Sequence, residues 1–476
     1  MGTWPVERKK RILSDPVSVY SKERPGAPDQ TISALRQLWL KYRKLRQDER
    51  ETQDYCRYCS KKIGIAKSNN EPVADLIDKM KGHSSDLAMI KKELLDLSNN
   101  ILAYFETDLN SDDQNSASAT APARHGESTQ PIPEQIVEVR EMTDPDSWNA
   151  YIESNLAASI YHRAEWKTLI HNVFGHQGYY LCAHGNGGKI LGVLPLIRMQ
   201  SRFFGDFMVS MPYFNYGGAV ADSASIESKL IDKANEAAKE MGVSHVEYRD
   251  DVERDGLPVK TNKVNMILSL PESHEELWAG FPSKLRSQIR RSQRESPIVE
   301  FGGKGKLKDF YRVFARNMRD LGTPVYGITF FDSILSSFPD NSRIVTVRIG
   351  RKPVAAAFLI GHGNTLEIPW ASTIRQVNHM SINMYLYWEV LKFAIESEYG
   401  YFDFGRSSRE SGTFRFKKQW GAQPKQLYWH YWLAEDTELP QLNPDNPKYA
   451  LLINIWKRLP VRITRWLGPM IVKSIP

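Results

Sequence analysis

The chain has 476 residues, of which 41% are hydrophobic, enough for roughly two to four domains with real cores. Its formal net charge of +7 is modestly basic, which suits a phosphate-rich partner or an anionic membrane face without singling out either. Three cysteines in so long a chain exclude a disulfide framework and point to a reducing compartment.

The N-terminus, M-G-T-W-P-V-E-R-K-K-R, has no apolar segment after its basic residues, so no secretory signal is visible. Met1-Gly2 is followed by Trp4, Pro5 and Val6, a poor context for myristoylation. No apolar run approaches the roughly 18 residues that span a bilayer. The expected location is cytoplasmic, with peripheral contact at the inner face of the membrane left open by the C-terminal segment.

Residues 1–28 are basic and punctuated by proline, and little fixed structure is expected there. Residues 29–106 read as an antiparallel coiled-coil hairpin. Leu35, Leu38, Tyr42, Leu45, Cys56, Cys59 and Ile63 hold a heptad register in the first arm. After the turn Lys67-Ser68-Asn69-Asn70, Val73, Leu76, Met80, His83, Leu87, Ile90, Leu94, Leu97, Ile101 and Tyr104 hold it in the second. Cys56 and Cys59 lack a second Cys/His pair at zinc spacing, so they read as small seam residues and no metal is expected. The first arm is rich in Lys and Arg. That excess either complements the mildly acidic second arm or lies along a nucleic-acid backbone. The wording C-S-K-K-I-G-I-A-K before the turn resembles the tRNA-binding arm of seryl-tRNA synthetases. The resemblance implies aminoacyl-tRNA as a partner through residues 29–106, with a seryl group as the natural first guess.

Residues 107–134, rich in Ser, Asp, Ala, Pro and Gln, read as a flexible linker. From residue 135 the composition is globular, and two successive passes of strand, helices, antiparallel strands, helix and strand divide it into domains at 135–258 and 259–436. The order predicts an α/β (α+β) layer architecture used twice. In the first pass P-Y-F-N-Y-G-G, from Pro212 to Gly218, is an aromatic-glycine loop. In the second, Tyr401–Phe404 reads as a buried aromatic strand carrying one acid, Asp403, and ended by Gly405; Thr413–Trp420 then gathers cations among aromatic rings. Residues 437–476 read as a basic amphipathic segment, with helix over about 448–476 that either packs on the body or lies on a membrane surface.

Five stretches carry a second resemblance: K-L-R-S-Q-I-R-R-S (Lys284–Ser292), N-M-R-D-L-G-T-P-V-Y (Asn317–Tyr326), I-P-W-A-S (Ile368–Ser372), F-D-F-G-R-S (Phe402–Ser407) and G-T-F-R-F-K-K-Q-W-G-A-Q-P (Gly412–Pro424). In this order they resemble FemAB-like acyltransferases, most of all the branch associated with exosortase/PEP-CTERM clusters. The resemblance implies tandem domains of the GNAT fold and transfer of an acyl or aminoacyl group to an amine, in classical members on a peptidoglycan precursor. It also implies roles. Lys417 would contact the oxyanion formed when the amine attacks an ester carbonyl, unless it merely pairs with Asp403. Tyr326 would hydrogen-bond substrate or relay a proton, unless it is a buried structural tyrosine, and Asp403 joins the catalytic set, though it reads more simply as scaffold. Asp403, Glu367 and His379 are the candidates for general base, unless the amine loses its proton to the leaving ribose or to water.

Lys284, Arg286, Arg290 and Arg291 would clamp a diphosphate or the tRNA end, unless they form a solvated face. Trp370, Asn383, Arg406, Arg415 and Phe416 are further expected substrate contacts. Acetyl-CoA enzymes of the GNAT class place glycines in an [RQ]-x-x-G-x-[GA] loop. Here R-Q-V-N-H-M has Asn378 and Met380 in those places, which argues for a donor other than CoA. The leading expectation is an aminoacyl-tRNA-dependent transferase that needs no cofactor and acts on a phosphate-bearing cell-envelope precursor. The alternatives are a thioester-dependent N-acyltransferase acting on an exopolysaccharide amino sugar and a non-catalytic protein that binds envelope precursors.

Overall fold

A computed structural model describes residues 137–440 apart from 156, 202–204 and 255, residues 447–475, the helix Ala74–Glu106, and scattered positions between 12 and 63. The chain divides into two compact units, Met1–Gln130 and Pro131–Pro476.

In the first unit, α1 (Ala74–Glu106) is a 33-residue helix. Met80, His83, Leu87 and Ile90 on it are half-buried, and Leu94, Leu97, Ser98, Ile101, Leu102 and Phe105 are buried, a stripe wider than the expected heptad seam. The described positions between Thr31 and Thr52 are helical, Leu35 and Trp39 are buried, and Lys41 reaches Glu93 at 3.6 Å. In the stretch expected to hold little structure, Ile12, Leu13 and Tyr20 are helical, and Tyr20 packs edge-on against Phe105 at 5.3 Å. The hairpin turn at 67–70, Cys56, Cys59 and the linker 107–134 lie outside the described residues.

The second unit contains two sheets. The first is assembled from β1 (Glu138–Glu141), β2 (Gln177–His184), β3 (Ile190–Ser201), β4 (Gly205–Val209), β5 (Val220–Ala221), β6 (His245–Asp250) and β7 (Val259–Lys260). Helices α2 (Pro145–Ser154), α3 (Glu165–Phe174) and α4 (Ala224–Glu240) flank it. Asp144 caps α2 by accepting from the Asp146 N–H, with Pro145 in the first turn, where its missing donor costs nothing.

The second sheet begins with β8 (Lys263–Ser269) and continues through β9 (Ile298–Gly302), β10 (Ser342–Ile349), β11 (Lys352–His362), β12 (Thr365–Thr373), β13 (Tyr401–Ser408) and β14 (Gln423–Gln426). Its helices are α5 (His274–Gly280), α6 (Ser283–Gln293), α7 (Leu307–Leu321), α8 (Ile328–Ser337), α9 (Ile382–Glu396) and the short α10 (Gly412–Lys418). Spatial order runs β14-β8-β13-β12-β11-β10-β9. The interior strand β11 is buried on both faces, which explains its unbroken V-A-A-A-F-L-I run. Ala356 and Phe358 join one core cluster; Ala355, Ala357 and Leu359 join the other.

Both sheets share one design. Each is antiparallel except for a single parallel pair, β4 with β6 and β12 with β13, and in each case one long helix, α4 or α9, makes the crossover. Two features tie the sheets together. The core cluster under β11 runs on into the first sheet's helices, with Trp166 against Phe338 at 4.9 Å and Phe174 against Phe330 at 5.1 Å. The last strand, β15 (Tyr428–Leu433), leaves the second sheet and pairs with β6 of the first, Tyr431 opposite Glu247. Helices α11 (Pro447–Arg458) and α12 (Val461–Val472) then pack on α7.

Candidate active site

The parallel pairing of β12 and β13 lasts only from Thr365–Glu367 against Tyr401–Asp403, although both strands continue for several residues. Where they part, a gap opens at their carboxyl ends, the usual place for a ligand in a sheet with parallel strands. A cleft of about 340 Å³ lies there. Glu367, Trp370, Arg406 and Lys417 line it from the second sheet, Tyr213, Phe214 and Asn215 from the first, and Tyr326 from the α7–α8 connection.

Lys417 arrives on α10, whose start is fixed by Ser411 accepting from the Phe414 N–H. The β13 strand is not ended by Gly405, as its sequence suggested. It runs on to Ser408 through a bulge between Asp403 and Arg406, with Gly405 at φ +76°. The bulge presents two carbonyl oxygens to Lys417, which donates to Gly405 O at 2.9 Å and Arg406 O at 2.8 Å. Those carbonyls, rather than a direct pair with Asp403, hold the ammonium. Burial lowers its pKa to about 8, against the opposing pull of Asp403 and Glu367.

Glu367 and Asp403 stand opposite each other in the parallel register, both buried. Asp403 Oδ2 accepts from Tyr216 at 3.0 Å and from Asn265, and its Oδ1 accepts from the Gly405 N–H at 2.6 Å. Burial nevertheless pushes it up to about 6. Glu367 faces the cleft and accepts from the Tyr161 hydroxyl at 2.5 Å. Burial first, and the Asp403 charge second, raise it well above the usual carboxylate range. Two like charges at one buried site cannot both ionise cheaply, which favours a proton kept on the pair, beside one lysine.

Arg406 is exposed to the cleft, and its guanidinium lies 5.1 Å from the Trp429 ring centroid, with Arg249 also over that ring at 4.4 Å. The enclosing walls and then Arg249 lower its pKa to about 10, so it stays charged. Among the described residues no carboxylate pairs with it. The Tyr326 hydroxyl likewise has no hydrogen-bond partner among them, and burial raises its pKa to about 12. The loop 211–218 that walls the cleft holds Met211 at φ +61° and Tyr213 at φ +76°, unfavourable for residues with side chains and concentrated where the cleft needs its wall.

Of the expected site residues, the structure brings Lys417, Tyr326, Trp370, Arg406 and the base candidate Glu367 to the cleft, with Asp403 directly beneath. It places the others elsewhere. Lys284, Arg290 and Arg291 are exposed on α6, Arg290 over the Trp278 ring at 5.4 Å, and Arg286 donates to Ala279 O. Arg415 is exposed; Phe416 packs on Tyr387 at 5.0 Å within the second core; Asn383 is half-buried in the first turn of α9. None of these lines the cleft. His379 is exposed on a 3₁₀ turn, Arg375–Met380, which fills the place of the glycine loop. There the Ser381 N–H donates to Asn378 O and the Met384 N–H to Ser381 O, so these amides are engaged within the chain. The carboxylate anchors Tyr161, Tyr216 and Asn265 went unnoticed in the sequence. The one legible sign was the aromatic-glycine loop that carries Tyr216.

Residues 281–418 match the acetyltransferase (GNAT) domain family. The second sheet is thus a GNAT-type acyltransferase domain, and its cleft lies at the strand divergence that it supplies. No curated protein matches the chain. Among solved structures, FemX is similar over 66% of this chain and 100% of its own, with 15% identity and a TM-score of 0.51. L-PGS from Bacillus licheniformis has 12% identity over 67% of this chain and 99% of its own, TM-score 0.44. A tandem GNAT protein from the clavulanic acid biosynthesis pathway has 9% identity over 64% and 100%, TM-score 0.39. The FemX likeness speaks for the fold: a GNAT domain preceded by a second sheet of the same design.

Proposed function

We propose that the GNAT domain moves an aminoacyl group from aminoacyl-tRNA to an amine of a phosphate-bearing cell-envelope precursor. The observation that carries this reading is the buried set Lys417, Glu367 and Asp403 at the floor of the cleft. The amine nitrogen attacks the donor's ester carbonyl, and the Lys417 ammonium, with two of its three donors already fixed by carbonyls, offers the third to the developing oxyanion. Collapse forms the amide C–N bond and breaks the C–O bond to the ribose. Glu367 gives its proton to the departing oxygen and takes one from the nitrogen, so protons balance. Asp403 keeps that exchange charge-neutral with Lys417. Arg406, with no carboxylate partner among the described residues, and Tyr326, whose hydroxyl has no hydrogen-bond partner among them, suit an acceptor phosphate or carboxylate.

The 3₁₀ turn with Asn378 and Met380 supports a donor without a pyrophosphate at that position. A second reading, transfer from an acyl thioester to an exopolysaccharide amino sugar, is favoured by the acetyltransferase family match. Transfer assays with charged tRNA and with acyl-CoA, each run with wild type and Lys417→Met, separate them. Lys417-dependent transfer from tRNA supports the first reading; transfer from acyl-CoA alone replaces it with the second. A chain inert with both donors, yet binding envelope precursors equally well with Lys417→Met, would be a binding protein.

A further inference from the structure

The last two helices have an inner face and an outer face. Inward, Thr464, Gly468 and Val472 of α12 are buried at four-residue spacing. Gly468 lies so close to Val325 that an added Cβ would stand 2.8 Å from its backbone. The end of this segment closes the cleft: Val472 and Ile475 line it, and the Lys473 carbonyl accepts from Tyr213 at 2.9 Å and from His176 at 2.7 Å.

Outward, Ile463, Trp466 and Met470 project at i, i+3 and i+7; Ile471 is exposed as well, and so are Leu452 and Ile455 on α11. Trp466 is 71% exposed. An unburied tryptophan on a helix that also exposes Ile463, Met470 and Ile471 is costly in water and suits an interface. The same helices expose Lys457, Arg458, Arg462 and Arg465, Lys473 is exposed just after them, and the sequence from 447 to 476 contains no Asp or Glu. A second copy of this surface would meet it with like charge. An anionic bilayer meets it with opposite charge and takes up the apolar stripe at headgroup depth. Among the described residues no helix is long and apolar enough to cross a membrane, so the contact is peripheral.

We propose that the outer face of α11 and α12 docks on an anionic lipid surface. Because the inner face of α12 walls the cleft, docking holds the cleft beside the bilayer, where a lipid-anchored acceptor would be presented; this last step rests on the transfer function proposed above. Flotation of the full chain with vesicles tests the docking. Vesicles of phosphatidylcholine mixed with phosphatidylglycerol should carry the protein, and pure phosphatidylcholine should not.

Arg462→Gln and Lys473→Gln should each weaken partitioning roughly fivefold, as about 1 kcal/mol per surface cation implies. Trp466→Ser should weaken it further while leaving transfer to a water-soluble amine unchanged. Lys417→Met should float like wild type, so loss of the transfer reading and loss of docking are told apart. Equal binding to both vesicle types, or to neither, overturns the proposal. So does a dimer in light scattering that Trp466→Ser dissolves, because the face would then be a contact between copies.

Discussion

At the scale of single residues, the site is decided by what burial does to charge. In the proposed transfer Lys417 must stay protonated to stabilise the oxyanion, and its pKa is lowered to about 8. Asp403 must be ionised to balance it, and is pushed up to about 6. Below the lower value the carboxyl pair is fully protonated and Lys417 loses its counter-charge; above the higher one the ammonium is lost. The expected kcat/KM profile is therefore a bell with limbs near those two values, measurable by steady-state transfer between acid and alkaline pH. In Asp403→Asn the acid limb should disappear, and a limb that stays in place would remove Asp403 from the scheme. Lys417→Met, the sharper test of chemistry, should cut kcat/KM by about 10²–10³ with circular dichroism unchanged. Part of this was legible. An acid in Y-F-D-F and one in L-E-I-P-W each stand out against apolar strands, and F-K-K-Q-W supplied the lysine. That the two acids face each other depends on strand register, which no local pattern encodes, and so Asp403 was read beside Lys417 while Glu367 was only one base among three.

At the scale of elements, the β13 bulge turns a strand into a site. Gly405 sits at φ +76°, where an added Cβ would find space, with nothing nearer than 3.8 Å, but would meet an unfavourable backbone conformation. Gly405→Ala should thus cost roughly 1–2 kcal/mol of stability. It should also lower transfer more than stability alone explains, because the carbonyls that hold Lys417 belong to this bulge. Gly412→Ala, at the start of α10 with nothing within 4 Å, should leave both unaltered. Urea unfolding and kinetics on the two variants decide it; equal behaviour would deny the bulge its part. Helices and strands of this unit were readable from periodicity, as Leu307–Leu321 shows: Phe310, Tyr311 and Phe314 mark the buried stripe, and Gly322 marks the stop. The partner of Y-W-H-Y-W-L was not. Alternation identifies a strand, but only tertiary pairing sends β15 back to β6, where Tyr431 donates to buried Glu247 at 2.5 Å.

At the scale of the molecule, the division into two units raises the question of what the first contributes to the reaction of the second. The α1 helix, at 1.5 Å per residue, is about 50 Å long, a useful length for following a nucleic-acid backbone. The reactive ester of an aminoacyl-tRNA is small, whereas the polyanion that carries it is large. If residues 1–130 bind that polyanion, their contribution belongs in KM and not in the chemical step. Deleting them should raise KM for aminoacyl-tRNA about tenfold or more, and should flatten its salt dependence, since the released counterions are those of the backbone. The same deletion should leave kcat/KM for a minimal aminoacyl ester within about twofold, because Lys417, Glu367 and Asp403 all lie in the second unit. Steady-state kinetics with both donors at low and high salt make the comparison. Unchanged KM for the tRNA donor would assign the first unit another role, and equal loss with both donors would mean that it supports the fold of the catalytic unit.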